Sequence, residues 1–105
     1  MVYPGRMADT SHALSTSVLK ERLEAAFPSL LEELTQLVAI PSVSSDPAHA
    51  ADVERSAEHI RERFAALGLE AKVLRETAAD GTEGKPALVA HTPHIEGAPT
   101  VLLYA

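Results

Sequence analysis

The last seven residues of the 105-residue chain, Pro99-Thr100-Val101-Leu102-Leu103-Tyr104-Ala105, constrain the fold most strongly, because they are continuously apolar after Thr100. A strand of this kind is covered on both faces, and such strands lie in the middle of α/β sheets between helices and further strands. Ligands of open α/β sheets bind beyond the carboxyl ends of the strands. We therefore expect the chain to be a fragment of a longer domain, with the functional residues following Ala105.

The segment from Ser17 to Val38 predicts an amphipathic helix. Its apolar stripe consists of Leu19, Leu23, Ala26, Phe27, Leu30, Leu31, Leu34, Leu37 and Val38, which recur at intervals of three and four residues. This spacing is typical of packing against a core, and a coiled-coil partner site is the alternative. Pro28 predicts either a kink or a break with a second helix beginning there, capped by Ser29 and Glu32.

A second amphipathic helix is predicted after a loop that starts at Ile40-Pro41. Asp46 is placed to cap this helix, with Pro47 at its first position. One apolar stripe is formed by Val53, Ala57, Ile60, Phe64 and Leu67, and charged residues of both signs cover the remaining surface. Gly68 predicts a left-handed helix end, with Leu69 in hydrophobic contact behind it.

The remaining pattern predicts strands. Leu69, Ala71 and Val73 alternate with Glu70 and Lys72, which is the period of a strand with one buried face. A second strand is predicted from Pro86 to Thr92, and the turn-rich connector 93–98 predicts an antiparallel return into the closing run. The expected fold class is α/β, with two amphipathic helices followed by about three strands of a mixed sheet.

The composition of the chain restricts the classes of partner that we expect it to bind. The net charge is -6, and a nucleic-acid-binding surface needs clustered Lys and Arg that this sequence lacks. There is no cysteine, no signal-peptide pattern and no segment long and apolar enough to span a membrane, so we expect a cytoplasmic protein without membrane or nucleic-acid partners. Residues 1–16 lack periodicity and predict a disordered tail, which leaves 17–105 as a partial α/β domain.

No residue of the chain is assigned a catalytic, cofactor-binding or metal-ligating role. Ser42, Ser44 and Ser45 lie in a loop without a G-x-S-x-G motif, and serines are common in caps and turns. His91 and His94 are the only closely spaced histidines, and on a strand they point to opposite faces. Zinc needs three or four converging ligands. A small metal-binding protein that uses this histidine pair remains an alternative.

Four stretches together resemble metallopeptidase family twenty, which includes carnosine dipeptidases, acetylornithine deacetylase and glutamate carboxypeptidases. Leu37-Val38-Ala39-Ile40-Pro41-Ser42-Val43-Ser44, after an acidic Leu-rich helix, is similar to the family's entry segment. The helix 52–69, with its Phe64-Ala65-Ala66-Leu67-Gly68-Leu69 ending, resembles the next family helix. Residues 85–90 and 97–104 are similar to the two strands before the first metal ligand, and they are closest to the dipeptidase branch.

The resemblance covers residues 19–105 and implies the N-terminal portion of a zinc-exopeptidase-like catalytic domain. In that family two zinc ions activate water to hydrolyse a peptide or N-acyl amide bond, and the full-length proteins are often homodimers with a separate dimerisation domain. The family's His-x-Asp motif begins directly after the strand that corresponds to 97–104, so its ligands and general base would follow Ala105. We expect this chain alone to be inactive. The alternative is a noncatalytic interaction module that binds through an exposed sheet edge.

Overall fold

A computed structural model describes residues 14–105 and shows two helices followed by a small sheet. Helix α1 spans Thr16–Val38, a single 3-10 turn spans Pro47–His49 and helix α2 spans Ala50–Ala66. Strands β1 and β2 span Glu70–Leu74 and Ala87–His91. The predicted order of two amphipathic helices before the strands is confirmed. The predicted tail lies outside the described residues up to position 13, and α1 begins at Thr16.

Helix α1 is continuous through Pro28. The hydroxyl of Ser15 caps its first turn by accepting a hydrogen bond from the backbone N–H of Val18 at 3.4 Å. Pro28 removes one helical hydrogen bond, but the turns on both sides persist. The hydroxyl of Ser29 donates to the carbonyl of Ala26 at 2.8 Å instead of capping a new helix. The predicted helix break with a capping box at Ser29 is therefore wrong.

Helix α2 begins and ends where local sequence signals place its limits. The Asp46 carboxylate accepts a hydrogen bond from the backbone N–H of Ala48 at 2.9 Å, and Pro47 occupies the first position of the turn that leads into α2. At the other end, Gly68 has a φ of +82° and the Leu69 N–H donates to the Phe64 carbonyl at 3.1 Å. This pattern is a Schellman motif and confirms the predicted glycine-terminated end.

The two strands form an antiparallel pair. Glu70 lies opposite His91 and Val73 lies opposite Leu88. One face of the sheet, formed by Ala71, Val73, Leu88 and Ala90, is half-buried against α2, whereas the alternate residues are exposed. The predicted alternation of β1 is thus confirmed, and α2 is the helix that covers this face of the sheet.

The closing run does not form the predicted third strand. Residues 98–105 have no strand assignment, and Val101, Leu102, Leu103 and Tyr104 are between 77% and 96% exposed. A strand requires a neighbouring backbone with which to exchange hydrogen bonds. Residues 98–105 pair with neither β1 nor β2, so the sheet has two strands where about three were expected.

The described residues do not enclose a hydrophobic core. None of them is buried, and the apolar stripe of α1, predicted to pack against a core, is exposed by 44% at Leu30 and 72% at Val38. Much of the apolar surface that periodicity identified is therefore uncovered.

Candidate functional site

An open groove between α1 and α2 is the first candidate site. It has a volume of about 260 Å³. Its lining consists of Leu30, Glu33, Leu34 and Leu37 from α1, His59, Ile60, Arg63 and Phe64 from α2, and Leu67. The carboxylate of Glu33 pairs with the guanidinium of Arg63 across it, which links the two helices. The lining is mainly apolar, so the groove suits an apolar side chain rather than a chemical reaction.

A second shallow groove, with a volume of about 250 Å³, lies between the loop after α1, α2 and β2. It is lined by Ser42, Val53, Ser56, Ala57, Ile60, Pro86 and Leu88. The two hydroxyl groups in this lining have no histidine or carboxylate beside them in the groove. Nucleophilic catalysis by serine needs an adjacent base, and this groove does not supply one. Ser44 and Ser45 lie in the exposed turn before Asp46.

A histidine, an aspartate and an arginine meet at the first turn of α2. Nδ1 of His49 lies 2.8 Å from Oδ2 of Asp52, and the guanidinium of Arg55 lies 2.9 Å from Oδ1 of the same carboxylate. His49 and Asp52 are three residues apart in sequence, and the turn brings them into contact. Both oxygens of Asp52 are therefore occupied, and the cluster orients the start of the helix.

The structure does not bring His91 and His94 into a metal site. Nε2 of His91 lies 3.7 Å from an oxygen of Glu70, its cross-strand neighbour, and Nδ1 lies 3.1 Å from the carbonyl of Thr92. Within residues 14–105, no three side chains of metal-ligating types converge. A structural or catalytic zinc ion takes at least three protein ligands. The described residues therefore do not fit a zinc centre.

Arginine and lysine partners lower the pKa of carboxyl groups around the sheet. Arg75, directly after β1, donates through Nε and a terminal nitrogen to the two oxygens of Glu54 in α2, and these hydrogen bonds lower the pKa of Glu54. A hydrogen bond from Lys72 lowers the pKa of Glu70. Sequence reasoning missed the Glu54–Arg75 pair, because no periodic pattern links a helix residue with the residue after the next strand.

A hydrogen bond to the carboxylate of Asp80 stabilises the turn between β1 and β2. Oδ1 of Asp80 accepts a hydrogen bond from the backbone N–H of Thr82 at 2.9 Å, which lowers the pKa of Asp80. Gly81, with a φ of +84°, occupies the left-handed position of this turn. Thr77 and Glu83 form an isolated antiparallel bridge at its base. Local polar contacts thus close the loop that brings β2 back against β1.

Among the described residues, no helix combines the length and the hydropathy that crossing a bilayer requires. We compared the chain with protein-family models, with curated proteins and with solved structures, and none of the three comparisons found a match.

Proposed function

We propose that the chain is the N-terminal part of the catalytic α/β domain of a zinc-dependent dipeptidase or related amide hydrolase of metallopeptidase family twenty. The family assignment rests on the four stretches of sequence resemblance between residues 37 and 104. The parent reaction would be hydrolysis of a peptide or N-acyl amide bond by zinc-activated water. The substrates would accordingly be small peptides or N-acyl amino acids.

The uncovered apolar surface is the observation that carries the partial-domain proposal. Helix α2 packs on one face of the sheet, but α1 and the closing run expose their apolar side chains and no described residue is buried. A monomeric globular protein rarely leaves contiguous apolar surface of this size open to water. Further polypeptide that packed on these surfaces would give the segment the core that its periodicity predicts.

This chain would supply the scaffold of such an enzyme, and its residues would not take part in the reaction. In the proposed arrangement, the closing run 99–105 would lie beside other strands and lead directly into the first metal ligand. The α2–sheet unit would hold that strand at a fixed position. Catalytic metal sites require ligands held in fixed geometry, and packed secondary structure provides that rigidity.

The test is to read the coding sequence beyond Ala105 and to express the extended protein. We expect a His-x-Asp motif soon after Ala105 and hydrolysis of dipeptides or N-acyl amino acids that a chelator abolishes and added zinc restores. The 105-residue chain is the matched control and should remain inactive with zinc. Absence of the motif in every downstream reading frame, or hydrolysis that is insensitive to chelation, would contradict the proposal.

A noncatalytic interaction module is the second candidate. The observation that favours it is the two-stranded sheet, in which β1 and β2 pair only with each other and leave the outer edge of each strand open within residues 14–105. Open edges can accept a strand from another protein. A well-behaved monomer with cooperative unfolding in size-exclusion and thermal measurements would argue against an obligate partner at these edges.

A further inference from the structure

The turn between β1 and β2 contains an aspartate followed directly by a glycine, Asp80-Gly81, and both residues are exposed. Glycine has no side chain, so its backbone nitrogen is less hindered than that of any other residue. The space beside Gly81 is open as well, since a Cβ atom at that position would meet no other atom within 4 Å. The carboxyl group of Asp80 therefore has an unhindered backbone nitrogen next to it in sequence.

Such a pair rearranges with no reagent other than water. The Gly81 nitrogen attacks Cγ of Asp80, and as the new C–N bond forms, the amide proton and the carboxyl hydroxyl group leave together as water. The product is a succinimide ring. Water then adds to one of the two ring carbonyls and breaks its C–N bond. Opening at Cγ restores aspartate, whereas opening at the main-chain carbonyl leaves the chain running through Cγ, which is isoaspartate of unchanged mass.

Both reacting groups are engaged in hydrogen bonds in the folded turn. The N–H of Gly81 donates to the carbonyl of Ala78 at 2.9 Å, so the nitrogen keeps the proton that it must lose in order to attack. Oδ1 of Asp80 accepts from the backbone N–H of Thr82 at 2.9 Å, which lowers the pKa of Asp80 and favours the carboxylate. A carboxylate has no hydroxyl group to release, so the folded turn holds both partners in their unreactive forms.

We propose that Asp80 is a site of spontaneous isomerisation to isoaspartate and that the turn between β1 and β2 gates the reaction, which proceeds only when the turn opens. Exposed loops open locally without unfolding of the whole chain. Isoaspartate adds a methylene group to the main chain and displaces the carboxylate, so the contact with Thr82 and the bridge between Thr77 and Glu83 do not re-form. The site depends on contacts within residues 76–84 and not on the proposed function.

The test is to incubate the full 105-residue chain at neutral pH, with and without enough urea to unfold it, and to follow isoaspartate at position 80 by peptide mapping. We expect isoaspartate to form about tenfold faster or more in urea, because every turn is then open. Asp80→Glu should give no isomer in either condition, because its longer side chain cannot close a succinimide. Equal rates with and without urea would overturn the gating, and absence of isoaspartate in urea would overturn the site.

Gly84 offers a variant that loosens the turn and leaves the reacting pair unchanged. Its N–H donates to the carbonyl of Glu76 at 2.8 Å, and a Cβ atom at Gly84 would lie 3.0 Å from that carbonyl oxygen. Gly84→Ala should therefore speed isomerisation of the folded chain by about threefold or more and leave the rate in urea unchanged.

Lys85→Ala, at the neighbouring exposed position, is the matched control and should leave both rates unchanged. Circular dichroism checks that both variants retain their helices. If the folded Gly84→Ala chain isomerises at the natural rate, or if Lys85→Ala speeds the reaction as much, the turn does not gate the reaction. Either result leaves the proposed enzymatic function standing, since that function is tested by hydrolysis with the extended protein.

Discussion

The guanidinium of Arg75 donates through two nitrogens to the carboxylate of Glu54, joining the end of β1 to the second turn of α2 across 21 residues of sequence. Both side chains are between two-fifths and one-half exposed. The pair therefore contributes modestly to stability, since exposed ion pairs are screened by water and salt. The pair mainly affects geometry, because a guanidinium that binds both oxygens of a carboxylate restricts the angle between the helix and the strand.

Loss of this pair should show itself in the pH dependence of stability. The hydrogen bonds from Arg75 lower the pKa of Glu54 in the folded chain. A lowered pKa contributes stability that is present above the unfolded pKa and is lost as the pH falls through the folded pKa. Between about pH 6 and about pH 3, the thermal midpoint of the natural chain should fall more steeply than that of Glu54→Gln. Glu62→Gln on the same helix is the control, and equal slopes in all three proteins would contradict the prediction.

Removal of the Asp46 cap should destabilise the start of α2. The carboxylate satisfies the N–H of Ala48, which has no helical partner. Asp46→Ala should lower the free energy of unfolding by about 1 kcal/mol, and Asp46→Asn should lose much less because an amide oxygen also caps. Thermal denaturation followed by circular dichroism measures the difference. Ser45→Ala, which changes the neighbouring turn residue, is the control, and an effect as large as that of Asp46→Ala would show that the cap is not responsible.

The helix end at Gly68 should tolerate asparagine better than alanine. Gly68 has a φ of +82°, a conformation that places the Cβ of an L-residue against its own backbone. Gly68→Ala should therefore cost about 1 kcal/mol of stability. Gly68→Asn should cost less, since asparagine adopts the left-handed conformation more readily. Equal stabilities of the two variants would indicate that the helix end relaxes to another conformation.

Two local signals predicted the limits of α2, whereas a third, the capping box at Ser29 and Glu32, did not begin a new helix. Asp46-Pro47 and Gly68 marked the limits of α2 correctly, because a cap and a left-handed turn are decided by residues that are adjacent in sequence. The stripe of α1 indicated which face is apolar, but periodicity does not identify what covers that face. The strand prediction for the closing run was wrong for the same reason, since apolar character predicts a strand only where another strand lies beside it.

The candidate site was harder to predict than the fold. No residue is assigned a catalytic or metal-binding role from the sequence, and the described residues bring together the His49–Asp52–Arg55 cluster and two open grooves. The grooves and the Glu54–Arg75 pair arise from contacts between separate elements. Their side chains carry no shared sequence motif, so only the three-dimensional arrangement reveals them.

A substitution in the closing run tests the partial-domain proposal, because that proposal predicts different effects in the 105-residue chain and in the extended protein. Leu102 is 89% exposed, so Leu102→Lys should leave the stability of the 105-residue chain unchanged within about 0.5 kcal/mol and should reduce aggregation. In the extended protein the same residue would lie on a covered strand, where a lysine ammonium group would be buried without a partner. The variant should then cost several kcal/mol or abolish folding. Ala79→Lys, in the exposed turn between β1 and β2, adds the same positive charge and is the control. If Leu102→Lys is equally harmless in both proteins, the closing run is not a core strand, and the partial-domain proposal loses its main structural support.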